Sequence, residues 1–245
     1  IADTSLNKVY GADFIPKIGC MLGVPYTENK YKVKGPFIAT EKLDGIRRIL
    51  VKENGRCRMY SRSGIEDEGL VEIIEEARYL PDNTVYDGEL LAIGTYENSI
   101  ALRQATNSIA NRKGIRKGVS FNIFDIIPLD EFKKGKSKYN ALNRKLLLGA
   151  MFGDEGIQYL HDDWAKMIVA FDLGHKFRTI KAVPILGVVN TEEEITELVT
   201  PIWKRGGEGI MLNTFEGHYE LKRSNTLLKV KYVESMDLKV VDIQE

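Results

Sequence analysis

Apolar and polar residues alternate along several stretches of the chain, which is the pattern of a half-buried β-strand. A hairpin is predicted at 46–61, because Asn54-Gly55 is a strong turn signal between two β-rich flanks. Further strands are predicted to begin at Phe37 and to cover 83–93, 119–127, 181–189, 208–212 and 227–233.

Other segments carry apolar residues at helical spacing. Thr191 and Glu194 form a capping box for a helix that runs to about Lys204. Helices are also predicted at 69–80, where Pro81 closes the helix, and at 99–113, 140–152 and 162–174. Glycines and prolines interrupt residues 1–36, which are predicted to be an irregular lead-in that contains at most a short helix. A flexible basic loop is predicted at 133–138.

Charged residues stand two positions apart in three separate predicted strands, as the pairs Lys42/Asp44, Asp87/Glu89 and Lys229/Lys231. Side chains at this spacing share one face of a strand. Each pair alone is compatible with the solvent-facing surface of a sheet. Two acids or two lysines on an otherwise apolar face nevertheless need a partner of opposite charge. With the single acid Glu208, the pairs predict a sheet-lined cleft for a polyanion such as a nucleoside triphosphate with a divalent metal.

The first pair carries further chemistry. A lysine with a carboxylate beside it can act as a nucleophile, and Arg47, three residues after Asp44, suits a phosphate or a sugar. The sequence has no GxxxxGK[ST] motif and no GxGxxG motif after a strand. A nucleotide would therefore be held by side chains and not by a glycine-rich helix start.

Composition narrows the class of protein. The 245 residues suit one large domain or two small ones, and no apolar run approaches the length of a membrane span. The 35 basic and 35 acidic residues argue against nucleic-acid binding by overall charge, while a local patch stays open. Cys20 and Cys57 lack CxxC spacing, so they are expected to be reduced thiols of a cytosolic protein.

Six short motifs contain these residues: 41–47 (EKLDGIR), 61–64 (SRSG), 86–90 (YDGEL), 121–125 (FNIFD), 208–212 (EGIML) and 228–231 (LKVK). Their order along the chain resembles that of the ATP-dependent DNA ligases, of the bacteriophage type. The resemblance implies the adenylation domain of such a ligase. Its fold would be α+β, a nucleotidyltransferase (ATP-grasp-like) domain of antiparallel sheets with flanking helices and a central nucleotide cleft.

The resemblance also implies a mechanism. Lys42 would attack the α-phosphate of ATP, form lysyl-AMP and release pyrophosphate. AMP would then pass to the 5′-phosphate of a DNA nick, and the 3′-hydroxyl would displace it to seal the strand.

Roles for the other motif residues follow from the same resemblance. Phe124 would stack on adenine, in place of the core packing that its strand pattern alone predicts, and the backbone around Glu41 would read the adenine edge. Arg47 would contact the ribose or the nick terminus and Arg62 the nick 5′-phosphate, which makes both DNA-binding. Glu89 and Glu208 would contact ribose or Mg²⁺ (or Mn²⁺). The implied nucleotide-binding residues are Thr40, Glu41, Leu43, Arg47, Arg62, Glu89, Phe124, Lys229 and Lys231, with the last two on the α-phosphate.

The implied partners are ATP and nicked double-stranded DNA, and no membrane is involved. The chain would be a monomer in the cytoplasm, which would be that of the host cell if a phage encodes the protein. Residues 1–36 would be the lead-in, 37–235 the adenylation domain, and 236–245 the start of a linker to an OB-fold domain missing from this sequence. Without that domain the chain is expected to adenylate itself slowly and to seal nicks poorly.

Two alternatives stay open. An mRNA capping guanylyltransferase shares the lysyl-nucleotide chemistry, although the EKLDGIR and SRSG forms look more like those of a ligase. A non-catalytic domain that binds nicks or nucleotides is the other. An NAD-dependent ligase is disfavoured, because only about 40 residues precede Lys42 and the resemblance to that family would require an upstream nicotinamide-binding domain.

Overall fold

The computed structural model describes residues 18–153 and 175–232, and within these ranges the chain forms twelve strands and six helices. The strands are β1 Leu22–Pro25, β2 Phe37–Glu41, β3 Ile46–Glu53, β4 Arg56–Ser61, β5 Thr84–Ala92, β6 Val119–Pro128, β7 Lys136–Asn140, β8 Ile180–Ala182, β9 Ile185–Val189, β10 Gly209–Thr214, β11 His218–Glu220 and β12 Arg223–Lys231. The helices are α1 Tyr26–Asn29, α2 Val71–Ala77, α3 Ser99–Ala110, α4 Leu129–Lys133, α5 Ala141–Phe152 and α6 Glu192–Lys204.

Two five-stranded sheets dominate the structure. The first sheet has the order β1-β12-β10-β2-β9, and the second has the order β4-β3-β5-β6-β8. Neighbouring strands are antiparallel except for β1 with β12 and β6 with β8, which are parallel. Strands β7 and β11 form a separate two-stranded ribbon. The predicted α+β fold of antiparallel sheets with flanking helices is confirmed.

Three apolar clusters hold the sheets and helices together. One packs the first sheet against α6 through residues such as Ile195 and Ile210. A second packs the second sheet against α2 and α5 through residues such as Ile73 and Leu147. The third joins the two sheets to each other, since Ile49 and Val85 of the second sheet pack with Leu227 of the first. Apolar burial is the main favourable term in folding, so this third contact fixes how the facing sheets meet.

Several local predictions are confirmed at the level of single residues. Strands β3 and β4 form the predicted hairpin, with Asn54 at φ 50° and Gly55 at φ 75° in the turn. Both residues of a type I′ turn need positive φ, and Asn-Gly adopts it at little cost. Thr191 and Glu194 form the predicted capping box of α6.

Three element predictions are wrong. The strand predicted at 181–189 is two strands in different sheets, because Val183 and Pro184 separate β8 from β9 and proline has no N–H to continue a ladder. The segment predicted as a basic loop at 133–138 consists of the last residue of α4, a two-residue turn at 134–135 and the first residues of β7. In β7, buried Ser137 and Tyr139 alternate with exposed lysines, which is ordinary strand alternation.

The irregular lead-in is the third correction. Its described part contains the short helix α1 but also the strand β1, which pairs with β12 at the edge of the first sheet. The helices predicted at 69–80 and 99–113 are present with shorter bounds, as α2 and α3. The helix predicted at 162–174 lies outside the described residues.

Candidate active site

A cavity of about 900 Å³ lies between the two sheets. All the predicted site residues line it: Thr40, Glu41, Lys42, Leu43, Arg47, Arg62, Glu89, Phe124, Glu208, Lys229 and Lys231. They come from segments far apart in sequence, so it is the pairing of the sheets that brings them together. A cavity of this size accommodates a nucleotide-sized ligand.

Lys42 lies immediately after the end of β2, and its ammonium nitrogen is 2.5 Å from a carboxylate oxygen of Glu208. The second oxygen of Glu208 is 2.5 Å from the ammonium nitrogen of Lys231. The ladder explains this meeting, because β10 pairs with β2 on one side and with β12 on the other. The backbone N–H of Lys42 also donates to the carbonyl of Gly209, at 2.9 Å.

Strand alternation does not account for Lys42 and Asp44, because both lie beyond the strand. Residues 42–45 form a loop between β2 and β3. Within it, Asp44 accepts a hydrogen bond from Arg103 of α3, at 2.8 Å. Gly45 approaches β5 so closely that an added Cβ would overlap the carbonyl oxygen of Leu90. The glycine therefore permits the approach that positions the loop.

Lys229 lies in a row of residues across the first sheet. It pairs with Met211, which pairs in turn with Thr40, and all three line the cavity. Partial burial lowers the pKa of Lys229 below its ordinary value, and the neighbouring cations Lys231 and Arg223 lower it further. Within the described residues Lys229 makes no ion pair. This concentration of positive charge favours an anionic ligand.

The opposite wall belongs to the second sheet and centres on Asp87. Asp87 is fully buried, and the guanidinium of Arg47 binds it through both Nε and a terminal nitrogen. The hydroxyl of Tyr219 donates to the same carboxylate, at 2.5 Å. Asp87 thus neutralises the charge of Arg47. The Cζ atom of Arg47 also lies 5.2 Å from the ring centre of Phe124.

Glu89 differs from Asp87 in having no such partner among the described residues. Arg47 stands opposite it in the β3–β5 ladder but pairs with Asp87 instead. Burial raises the pKa of Glu89 to about 7, against an opposing effect of Lys42 and Arg47. The Glu89 carboxyl group in the cavity wall is therefore close to its pKa at neutral pH. A cation bound nearby would favour its ionised form.

The remaining predicted residues differ in how exposed they are. Arg62 is exposed where β4 ends. The side chain of Glu41 accepts from Arg205, at 2.5 Å, and Thr40 is buried in β2. Leu43 contributes to the wall from the loop after Lys42.

Several cavity residues were missed by sequence reasoning. Met211 could have been found, because alternation in β10 places it on the opposite face from the buried Ile210 and Leu212. Tyr219 and Lys145 carry no pattern in the sequence. Tyr219 lies in a strand of three residues, and Lys145 lies on α5, outside every motif.

The acids fit a metal that is bound largely by its substrate. Within the described ranges no group of three or more His, Cys, Asp or Glu residues is arranged to hold a metal ion. Glu89 and Glu208 are two carboxylates on one cavity, close enough for the charge of Glu208 to raise the pKa of Glu89. Mg²⁺ commonly takes one or two carboxylates, with phosphates and waters completing its shell. The donor set fits that arrangement.

Comparison with known proteins decides the family. A family model described as the ATP dependent DNA ligase domain matches residues 21–231. The chain belongs to the ATP-dependent DNA ligase family. This match confirms the resemblance that the six motifs carry, and its bounds enclose the cavity and both sheets.

The relatives are ligases too. The DNA ligase of Enterobacteria phage T4 is 28% identical over 282 aligned positions, which cover 97% of this chain and 53% of that protein. The solved structure named Pmar-Lig_PreS3 is 25% identical with a TM-score of 0.69, covering 93% of this chain and 50% of that one. The chain therefore spans about half the length of these relatives.

A crystal structure of Chlorella virus DNA ligase-adenylate has the same fold. Its TM-score is 0.57 at 23% identity, and the match covers 88% of this chain and 69% of that one. Among the described residues, no helix is long and apolar enough to cross a membrane.

Proposed function

We propose that this chain is the adenylation domain of an ATP-dependent DNA ligase and that Lys42 is its nucleophile. The observation that carries the proposal is the group of Lys42, Lys229 and Lys231 around Glu208 on one wall of the cavity, facing Glu89 on the other. Three lysines suit a triphosphate, and one of them lies at the start of a loop in the EKLDGIR motif.

The first step forms a bond between Nζ of Lys42 and the α-phosphorus of ATP. The lone pair of the neutral amine makes the P–N bond, the bond from the α-phosphorus to the bridging oxygen breaks, and pyrophosphate leaves with that electron pair. The amine loses its proton to solvent. Lys229 and Lys231 bind the α-phosphate and offset the negative charge that develops there.

The AMP on Lys42 then passes to the 5′-phosphate of a nick in double-stranded DNA, and the 3′-hydroxyl displaces it. Arg62, exposed at the cavity mouth, binds the nick 5′-phosphate, and Arg47 contacts the ribose or the nick terminus. Phe124 stacks on adenine, while Thr40, Leu43 and the backbone of Glu41 line the base site.

Glu89 and Glu208 would hold Mg²⁺ or Mn²⁺ in this proposal. When bound, the metal supplies charge neutralisation for phosphoryl transfer. Before the metal binds, these acids position the chain's own groups. Glu208 orients Lys42 and Lys231, and Glu89 contributes to the ribose side of the cavity.

The larger setting is part of the same proposal. Residues 1–36 lead into an adenylation domain at 37–235, and 236–245 begin a linker to an OB-fold domain. The chain acts as a monomer in the cytoplasm, that of the host cell if a phage encodes it, and the relationship to the phage T4 ligase supports the phage setting.

Separate incubations with α-labelled ATP and α-labelled GTP test the proposal. We expect covalent label from ATP on the wild-type chain and none on Lys42→Ala. The capping guanylyltransferase is the alternative that shares this chemistry, and transfer from GTP but not from ATP would establish it. A chain that bound ATP or nicked DNA but took no label would instead be the non-catalytic domain.

A further inference from the structure

Strand β6 contains a bulge at the residue that faces the cavity. In the β5–β6 ladder Asp87 stands opposite Asp125, whereas the next residue, Gly88, stands opposite Ile123. Phe124 is therefore the extra residue. An extra residue in a ladder is left unpaired, and bulges re-aim the side chain that they carry. The ring of Phe124 lines the cavity.

Two adjacent residues of α5, Arg144 and Lys145, bind the two residues of this bulge. Arg144 is fully buried, and its guanidinium binds the carboxylate of Asp125, with Nε at 2.7 Å. Lys145 donates from its ammonium group to the backbone carbonyl of Phe124. Arg144 thus fixes the side chain of the second bulge residue, and Lys145 fixes the backbone of the first.

Lys145 is an unusual group to find in this position. It is only 4% exposed, yet it lines the cavity. Burial lowers its pKa, while the nearby charge of Asp125 opposes that effect. A buried ammonium costs several kcal/mol of desolvation, so a fold that needed only a donor would meet the need more cheaply with a neutral side chain. Asp125 already has Arg144 as its partner.

We propose that Lys145 is a positioning residue for the nucleotide: by holding the carbonyl of the bulged Phe124, it sets the direction in which the Phe124 ring faces the bound base. The inference rests on the proposed function, in which Phe124 stacks on adenine. It assigns Lys145 no contact with the reacting atoms.

A double-mutant cycle distinguishes this role from a purely structural one. The variants are Lys145→Met, Phe124→Ala and the two combined, and the dissociation constant for ATP is measured for each by calorimetry. We expect Lys145→Met to weaken ATP binding about fivefold to tenfold in the wild-type background and less than about twofold in the Phe124→Ala background, because residues that act through one another are not additive. For Lys145→Met, the maximal rate of Lys42 adenylation at saturating ATP should stay within about twofold of wild type. The lost interaction stabilises bound ATP and the transition state equally, so its loss changes the affinity and not the rate.

Two further variants complete the design. Lys145→Gln keeps a donor for the Phe124 carbonyl without the charge, and we expect it to restore most of the affinity. Lys145→Leu, which also lacks a donor, replaces Lys145→Met in the cycle if that variant fails to fold. Lys134→Met removes an exposed lysine that pairs only with Asp130 in the described structure, and it should change nothing.

Equal losses of affinity in both backgrounds, or no loss in either, would overturn the role of Lys145. A wild-type chain that fails to bind ATP at all would overturn the proposed function itself, so the two failures are distinguishable.

Discussion

Glu208 holds the ammonium group of Lys42 at 2.5 Å and that of Lys231 at the same distance. The ion pair keeps the nucleophile on one wall of the cavity. Attack on phosphorus needs the neutral amine, which makes no ion pair with a carboxylate. Lys42 must therefore leave Glu208 before the P–N bond forms, and a bound nucleotide with its cation offers Glu208 other partners.

Replacement of Glu208 by glutamine separates binding from chemistry. Glu208→Gln removes a negative charge from a site for phosphates, so ATP should bind as tightly as to wild type or more tightly. Transfer of AMP to Lys42 should slow by at least about tenfold, because the variant lacks the carboxylate that would hold the metal in the transition state of phosphoryl transfer. Calorimetry with ATP and the rate of covalent labelling measure the two effects.

The matched control is Glu197→Gln, which removes an exposed acid from α6, away from the cavity. It should change neither quantity. Unimpaired labelling by Glu208→Gln would show that this carboxylate has no part in the transfer.

Glu89 makes the stability of the unliganded chain depend on pH. Burial raises its folded-state pKa from the ordinary 4.5 to about 7, so the folded chain binds this proton more tightly than the unfolded chain does. The favourable contribution is complete below the unfolded pKa and is lost as pH rises through 7. Glu89→Gln, which mimics the neutral form, should therefore raise the free energy of unfolding by about 1–3 kcal/mol at pH 8 and leave it nearly unchanged at pH 4, below the unfolded pKa.

Urea unfolding at the two pH values measures this difference. An equal change at both pH values, or a loss of stability at pH 8, would mean that Glu89 is ionised in the folded chain without cost.

The tight approach of Gly45 to β5 predicts a local effect on the Lys42 loop. Gly45→Ala places a Cβ against the carbonyl oxygen of Leu90. We expect a loss of about 1–3 kcal/mol of stability, or a displaced loop, together with at least tenfold slower labelling of Lys42. Gly187→Ala is the control, because an added Cβ at Gly187 meets no atom within 4 Å. If the two alanine variants labelled equally fast, the position of the loop would not depend on Gly45.

The motifs predicted the cavity residues well because each motif is local. Side chains at 40–47, 86–90 and 228–231 are placed by strand alternation and by a short loop, which depend on neighbouring residues. Phe121 and Phe124 show the limit of strand alternation. The strand pattern alone predicts core packing for both, yet Phe121 is fully buried whereas Phe124 lines the cavity.

Features set by distant pairing could not be predicted in this way. The bulge at Phe124 appears only when β6 is aligned with β5, and Lys145 reaches it from the helix predicted at 140–152, for which no role in the site was predicted. The predicted strand at 181–189 failed for a related reason. Its residues form one largely apolar run in the sequence, but the chain passes from one sheet to the other at Pro184.

The intact mass of the chain after incubation with ATP and Mg²⁺ tests the central claim most directly. The account predicts a mass increase equal to one AMP on the wild-type chain, reversed by added pyrophosphate, mapped to Lys42 by peptide analysis, and missing in Lys42→Ala. An AMP adduct that persists in Lys42→Ala, or a wild-type chain that takes up GMP and never AMP, would contradict it.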